Sequence, residues 1–402
     1  MTDPEDQAPP PGRSAAAAAP VDPAPRPTAA DGPLHDLRVV DVSTVVAGPG
    51  CARYLGDFGA DVIKVERPDG GDTTRAMGWV DPRDDVTLWW KLAGRNKRTV
   101  VADLKGPDGL AMVRRLLATA DVLVENFRPG TLERLGLAPD DLIAANPRLV
   151  VTRVSGFGQD GPYAGRPGFA TLAEAMSGFA AINGEPDGAP LLPPIALTDE
   201  VTALTAAFAT MVALHSGTGQ VVDVNLLESL FQLMGPLMSV WATRGELQPR
   251  LGSGIPYSVP RGTYRCADGE WVAISTSAES VAVRVMELVG LGDDPRLVGF
   301  AGRIAHREEI DARVTEWCAA RPLAEVLAEF EAAHAAAAPV YTMAQLATDP
   351  HVVARGMVAD VGGTPMQGLV ARLSETPGRL RWPGRPLGAD GPAIRADLEE
   401  GI

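Results

Sequence analysis

Leu191–Leu226 reads LLPPIALTDEVTALTAAFATMVALHSGTGQVVDVNL, and the rest of the chain is organised around it. Pro193, Pro194 and Ile195 form an extended approach to Thr198–Asp199. An apolar helix is expected from about Glu200 to Leu214, stopped by Gly217 and Gly219, with a strand at Gln220–Val224. Asp199 therefore falls where an extended segment hands over to a helix. Free backbone N–H groups and the positive end of the helix dipole meet there and should hold its carboxylate ionised. Asp and Thr are also ordinary N-caps, so the residues alone leave a plain capping role open.

Working outward, the same alternation recurs upstream. Leu37–Val42, Asp61–Glu66, Thr99–Asp103, Asp121–Glu125 and Leu149–Val154 are apolar runs of strand length. Helical patterns lie between them, among them Pro107–Ala118 and Pro129–Leu135. Strands alternating with helices predict an α/β fold with a doubly wound, mostly parallel sheet. Ligands of such sheets sit beyond the strands' carboxyl ends, which directs attention to Val45–Gly48, Arg67, Lys105 and Asn126–Arg128. These offer backbone amides, cations and one aromatic face, a set that suits a ligand with phosphates and a flat base. The turn Ser43–Gly50 carries the first two glycines of a dinucleotide fingerprint, Gly48 and Gly50, with Glu66 at ribose distance, but Arg53 replaces the third. The fingerprint fails, and nicotinamide or flavin binding is not expected.

Downstream, Phe169–Ala180 and Leu226–Trp241 read as helices, the second with a Met- and Leu-rich stripe fit for core or a subunit contact. Gly262–Cys266 and Trp271–Ser275 flank a hairpin turn, followed by helices near Ala278–Val289, Arg307–Ala319 and Leu323–Ala336. The expected organisation is a disordered tail over 1–33, a large domain over 34–226, a smaller α+β domain over 227–330, and a segment over 331–402 that returns to the large domain.

Composition narrows the function. The net charge of −15, from 36 basic and 51 acidic residues, argues against a nucleic-acid surface but allows a local basic pocket for one anion. Three scattered cysteines, Cys51, Cys266 and Cys318, fit reduced thiols in the cytoplasm. Five dispersed histidines form no ligand pair, so no metal is expected. No uninterrupted apolar run of spanning length was found, so no membrane is expected.

The motifs DVSTVVAGPGCARYLGDFGADVIKVERPDGGDTTR, VENFRPGTLERLG, NPRLVVTRVSGFGQDGPY, AMSGF and TGQVVDVNLLES resemble the class III CoA-transferases over about residues 35–380. That family includes formyl-CoA and carnitine CoA-transferases and the α-methylacyl-CoA racemases. The resemblance implies a Rossmann-like CoA-binding domain, an inserted smaller domain and an interlocked homodimer. It implies an acyl-CoA thioester and a small carboxylic acid as substrates, with no permanently bound cofactor. It places the family's catalytic aspartate on Asp199, which attacks the thioester to form a mixed anhydride and then an aspartyl-CoA thioester. Backbone amides of Val45, Val46 and Ala47 would serve developing oxyanions, and Gly252 and Gly254 would belong to a mobile covering loop. The CoA contacts implied are Val45, Ala47, Arg67, Ala102, Lys105, Asn126, Phe127 and Arg134.

The departures from the family pattern carry information. Phe169 stands where the racemases have a histidine, and phenylalanine moves no proton, which disfavours the alternative of an acyl-CoA racemase or isomerase. Phe169 and Ala170 replace the Tyr–Glu pair of formyl-CoA transferase, making that chemistry doubtful and the pocket more apolar. Glu174 stands where the family often has Gln, and reads either as an acid/base or hydrogen-bonding group or as a polar residue facing solvent. Asp187 is expected in a turn. A third reading, a CoA-binding module without catalysis, is disfavoured by Asp199 together with the Gly252–Gly254 segment.

Overall fold

β-Branched runs build the centre of the molecule. In the computed structural model, which describes residues 21–401, six strands form one sheet: β1 (Arg38–Asp41), β2 (Asp61–Glu66), β3 (Lys97–Val101), β4 (Val122–Glu125), β5 (Val150–Ser155) and β6 (Gln220–Asn225). Their order is β3-β2-β1-β4-β5-β6 and every pairing is parallel. Successive side chains alternate between two cores, as strand geometry requires. Val39, Val62, Val122 and Val124 pack on one side, and Val40, Ile63, Val65 and Leu123 on the other.

Helix α1 (Ala47–Asp57) covers the first face together with the long helix α4 (Leu197–Ser216). Helix α2 (Pro107–Thr119) covers the second through Met112, Val113, Leu116 and Leu117. Helix α3 (Ala170–Met176) packs against α4 and against α5 (Leu226–Gln232). Further along, α6 (Leu237–Arg244) buries none of its residues. The strands β7 (Gly262–Arg265), β8 (Trp271–Ile274) and β9 (Ala337–Pro339) form an antiparallel sheet with a core of its own, in which Trp317 meets Phe330 edge-on at 5.8 Å. The chain after residue 378 returns to the large sheet. Asn96 N–H donates to the Trp382 carbonyl at 3.1 Å, Asp390 N–H to the Thr99 carbonyl at 3.0 Å, and Ile394 enters the α2 core. The free edge of β3 is thereby covered.

Several expectations are adjusted. Residues 1–20 of the expected tail lie outside the described residues. Its remainder lies on the body, where Ala24 is buried and its N–H donates to Asp390 at 2.7 Å. The helix expected over Phe169–Ala180 breaks at Gly178, whose φ of +94° interrupts the backbone. The one expected over Leu226–Trp241 breaks at Gly235 (φ +57°) and Pro236, which cannot donate to a continuing helix. Cys51, Cys266 and Cys318 are free and buried.

Helix α4 is also more apolar than the sequence reading allowed. At 20 residues and mean hydropathy 1.3 it has the length and composition of a membrane span, and only 33% of it is buried. The buried residues of α4 are small, chiefly Thr202, Ala203, Ala206, Ala207 and Thr210, and they face the sheet and α1.

Candidate active site

The turn between β1 and α1 sits where the strand order reverses, the usual ligand position of an open α/β sheet. Its shape is set by charges buried beneath it. Lys97 Nζ donates to Asp41 at 2.8 Å and to the Pro49 carbonyl at 2.7 Å. Lys64 Nζ pairs with Asp72 at 2.9 Å and donates to the Ser43 carbonyl. Burial alone would raise the Asp41 carboxyl, but Lys64 and Lys97 bring it below the usual range. Asn126, at the end of β4, clasps the turn from the other side: its Oδ1 accepts Thr44 N–H at 2.9 Å and its Nδ2 donates to the Thr44 carbonyl at 2.6 Å. Asn126 thus holds the turn through both ends of its amide.

Val45 takes φ +72°, a left-handed conformation that a β-branched residue adopts only under constraint. Its N–H donates to Asp72 Oδ1 at 3.3 Å, so of the three expected oxyanion donors one already has a partner. Val46 and Ala47 are buried at the start of α1, which no side chain caps, and their amides are unengaged among the described residues. Gly48 is required here because a Cβ would come within 2.5 Å of the Ser43 side chain.

Asp199 lies on the first turn of α4. The helix begins at Leu197, three residues earlier than expected, and its N-cap is Ala196 without a side-chain bond. Asp199 is therefore not a cap. It accepts no hydrogen bond and forms no ion pair among the described residues. Its carboxyl is pushed up to about 6, by burial first and then by Glu174 and Glu200, so these outweigh the helix dipole that was expected to keep it low. At neutral pH the anion still predominates, by about tenfold at pH 7.

Within two turns of their starts α1 and α4 touch, with a Cβ at Gly50 falling 2.8 Å from the Ala203 Cβ. Arg53, which occupies the place of the third fingerprint glycine, ties the same helices. It pairs with Glu200 at 3.0 Å while the Tyr54 hydroxyl donates to Glu200 at 2.9 Å. These contacts tie α1 to the first two turns of α4, the part of the helix that carries Asp199. The Gly252–Gly254 segment is joined to the approach into Asp199: Gly252 N–H donates to the Gly184 carbonyl at 3.0 Å, and Arg250 donates to the Gly188 carbonyl at 2.7 Å. Asp187 lies in the turn there, closed by Gly188 N–H donating to the Glu185 carbonyl at 3.0 Å.

Of the expected contacts, Ala102 lies at the carboxyl end of β3 and lines a cavity there. The cavity, of about 350 Å³, is also lined by Pro68, Asp103, Pro107, Met112 and Arg395, among others. Arg67 precedes Pro68, and Lys105 follows Ala102 by three residues. Both are exposed, and their side chains have no partner among the described residues. Phe127 packs against the α2 core with its ring half-buried. Arg134 stands apart on a short helix, bonded to Thr131 at 2.7 Å, and does not line the cavity.

One open reading is decided and two features were not anticipated. Glu174 is 4% exposed and accepts from the Thr198 hydroxyl at 2.9 Å, which corrects the solvent-facing reading. The Lys64–Asp72–Asp41–Lys97 cluster could have been sought, since charges inside apolar strands are a signal of buried pairing. Gln159, in the loop after β5, has both polar side-chain atoms buried and unbonded among the described residues, and nothing in the sequence marks it. Phe169 is 67% exposed.

The sequence profile of CoA-transferase family III matches residues 34–391. The chain belongs to CoA-transferase family III. Succinyl-CoA–D-citramalate CoA-transferase of Chloroflexus aurantiacus is 39% identical over 378 residues, 91% of this chain and 94% of that protein. Succinate–glutarate CoA-transferase of Agrobacterium fabrum is 35% identical over 384 residues, 91% of this chain and 96% of its own length. The crystal structure of a CaiB/BaiF family protein from Brucella suis matches with a TM-score of 0.81 at 32% identity, covering 92% of this chain and 100% of that one. The chain is thus an enzyme that transfers CoA from an acyl-CoA to a carboxylic acid.

Proposed function

We propose that this CoA-transferase takes CoA from succinyl-CoA to a small dicarboxylic acid, with Asp199 as the nucleophile. The donor and acceptor class are those in the names of the relatives from Chloroflexus and Agrobacterium. The observation that carries the role of Asp199 is its isolation: a carboxylate on the first turn of a helix that neither caps nor pairs, with a raised pKa.

The chemistry follows from that group. An Asp199 oxygen attacks the thioester carbonyl, the C–S bond breaks, and the electron pair leaves on CoA thiolate. The thiolate attacks the Asp199 carbonyl of the anhydride, releasing the donor as its carboxylate and leaving an aspartyl-CoA thioester. The acceptor carboxylate attacks that thioester to form a second anhydride. Thiolate then returns to the acceptor carbonyl, giving the new acyl-CoA and free Asp199. No step consumes a proton, which fits a site without histidine. The unengaged amides of Val46 and Ala47 are the donors suited to the oxyanions, and closure by the Gly252–Gly254 segment excludes water from the anhydrides.

The CoA nucleotide is assigned to the cavity at Ala102, with Arg67 and Lys105 at its mouth for phosphates, and the pantetheine to the turn held by Asn126. The sheet order supports the Rossmann-like reading of residues 34–226, and the second core supports a smaller domain, which runs past the expected end at 330 because β9 at Ala337–Pro339 completes its sheet. An uncovered apolar stripe runs along α4 through Leu204, Phe208 (70% exposed) and Val212, and α6 adds Met238 and Trp241. Such a surface calls for a partner, and the family resemblance names it as a second copy in an interlocked homodimer. With that face covered by protein, the enzyme is assigned to the cytoplasm, off the membrane.

The test is to incubate the enzyme with succinyl-CoA, cleave with hydroxylamine and map the labelled peptide by mass spectrometry. Modification at Asp199, and loss of turnover in Asp199→Ala, are the expected results. An unlabelled Asp199 with full activity in that variant would remove the mechanism.

A further inference from the structure

Glu174 is a buried carboxylate, bonded to the chain neighbour of Asp199, that the transfer chemistry leaves unused. It is 4% exposed on α3, a helix wedged between α4 and α5. Its Oε1 accepts from the Thr198 hydroxyl at 2.9 Å. Thr198 is itself fully buried, is the chain neighbour of Asp199, and has its carbonyl bonded by the Thr202 hydroxyl at 2.7 Å. The Glu174 carboxylate is thereby fixed against the turn that carries the nucleophile.

The charges facing Asp199 come from three elements. Glu200 lies next to it on α4, but Arg53 of α1 pairs with Glu200 at 3.0 Å and Tyr54 donates to it, so that charge is largely answered. Glu174 of α3 forms no ion pair among the described residues. It is the uncompensated neighbour, and after burial it is the largest influence raising the Asp199 carboxyl.

We propose that Glu174 is a positioning residue for CoA transfer, whose fixed charge destabilises free Asp199 and so drives its acylation. The inference rests on Asp199 being the nucleophile. When an Asp199 oxygen bonds to the acyl carbon and the C–S bond breaks, the negative charge moves from Asp199 to the departing sulfur. The repulsion between the two carboxylates ends with that step. It is present in the ground state and relieved toward the transition state, which is the kind of interaction that accelerates a reaction. A more basic carboxylate is also the better nucleophile. Glutamine at this position would preserve shape and the Thr198 bond but not the charge.

The experiment is Glu174→Gln, read in two ways on the full-length enzyme with succinyl-CoA. In the pH profile of kcat/KM, the acid limb should move from about 6 downward by about one unit. In single-turnover mass spectrometry at pH 7.5, formation of the aspartyl-CoA intermediate should slow about 3- to 10-fold. Glu174→Asp should restore part of the acid-limb position because it restores the charge. An unchanged limb and unchanged acylation rate in Glu174→Gln, in a protein with wild-type melting behaviour, would overturn the proposal and leave Glu174 a packing residue. Failure of the underlying reading is separable: it would show as activity retained in Asp199→Ala, whatever Glu174→Gln does.

Discussion

Replacing Asp199 with asparagine should make the protein more stable as it destroys activity. The Asp199 carboxyl is raised from 3.8 to about 6 in the folded chain by burial, Glu174 and Glu200. The folded state therefore holds this proton more tightly than the unfolded state does. A group of this sign contributes no penalty below pH 4, and the fold loses stability as pH climbs from there through about 6. A shift of about two units corresponds to at most about 3 kcal/mol. Asp199 is only half-buried, so screening by solvent reduces the expected penalty to about 1–2 kcal/mol at pH 8. About half of that is already present at pH 5. Asparagine removes the charge with little change in shape. The assay is denaturant unfolding of wild type and Asp199→Asn without CoA, at fixed protein concentration, at pH 5 and pH 8. The variant should be the more stable at both, with the larger advantage at pH 8. A variant that is less stable at pH 8, or whose advantage grows on acidification, would refute the electrostatic account of the site. The trade between stability and activity is what a site built from mutually repelling carboxylates implies.

Other perturbations follow from the packing and the turn. Gly50→Ala places a methyl 2.8 Å from the Ala203 Cβ and should cost about 1–3 kcal/mol in urea unfolding; no loss would mean that α1 and α4 separate freely. Asn126→Ala removes both clasps on Thr44, each worth about 1 kcal/mol, and should raise the KM for acyl-CoA about tenfold with a smaller effect on kcat. A purely catalytic defect with unchanged KM would argue against its role in shaping the binding turn. Phe208→Glu puts a charge in the exposed stripe of α4 and should convert the proposed dimer to a monomer in light scattering; a wild type that is already monomeric, or a dimer unaffected by the change, would refute α4 as the interface.

The strands were readable because parallel strands buried on both faces must be continuous apolar runs: Asp61–Glu66 appears in the fold with the expected boundaries. That Asp199 stands at the start of a long apolar helix was readable too. Its state was not. Whether Asp199 caps a helix or stands inside its first turn depends on three residues, Ala196–Thr198, that have no strong preference either way, and the helix starts at Leu197. The expected effect of the dipole was real physics applied to one element. What opposes it is burial first, then the charges of Glu174, on another helix, and Glu200. Glu174 was hard to read for a further reason. On α3 the apolar side chains Leu172 and Met176 are exposed while the glutamate is inside, so periodicity assigns the faces the wrong way round. An inverted helix of this kind is stable only if something apolar covers its outer face and something polar meets its inner one. The second requirement is met by Thr198, and the first points to the same partner surface as the stripe on α4. The site's electrostatics and its assembly are therefore one problem. A monomeric Phe208→Glu enzyme should leave α3 less firmly seated, and its acid limb should fall toward that of Glu174→Gln.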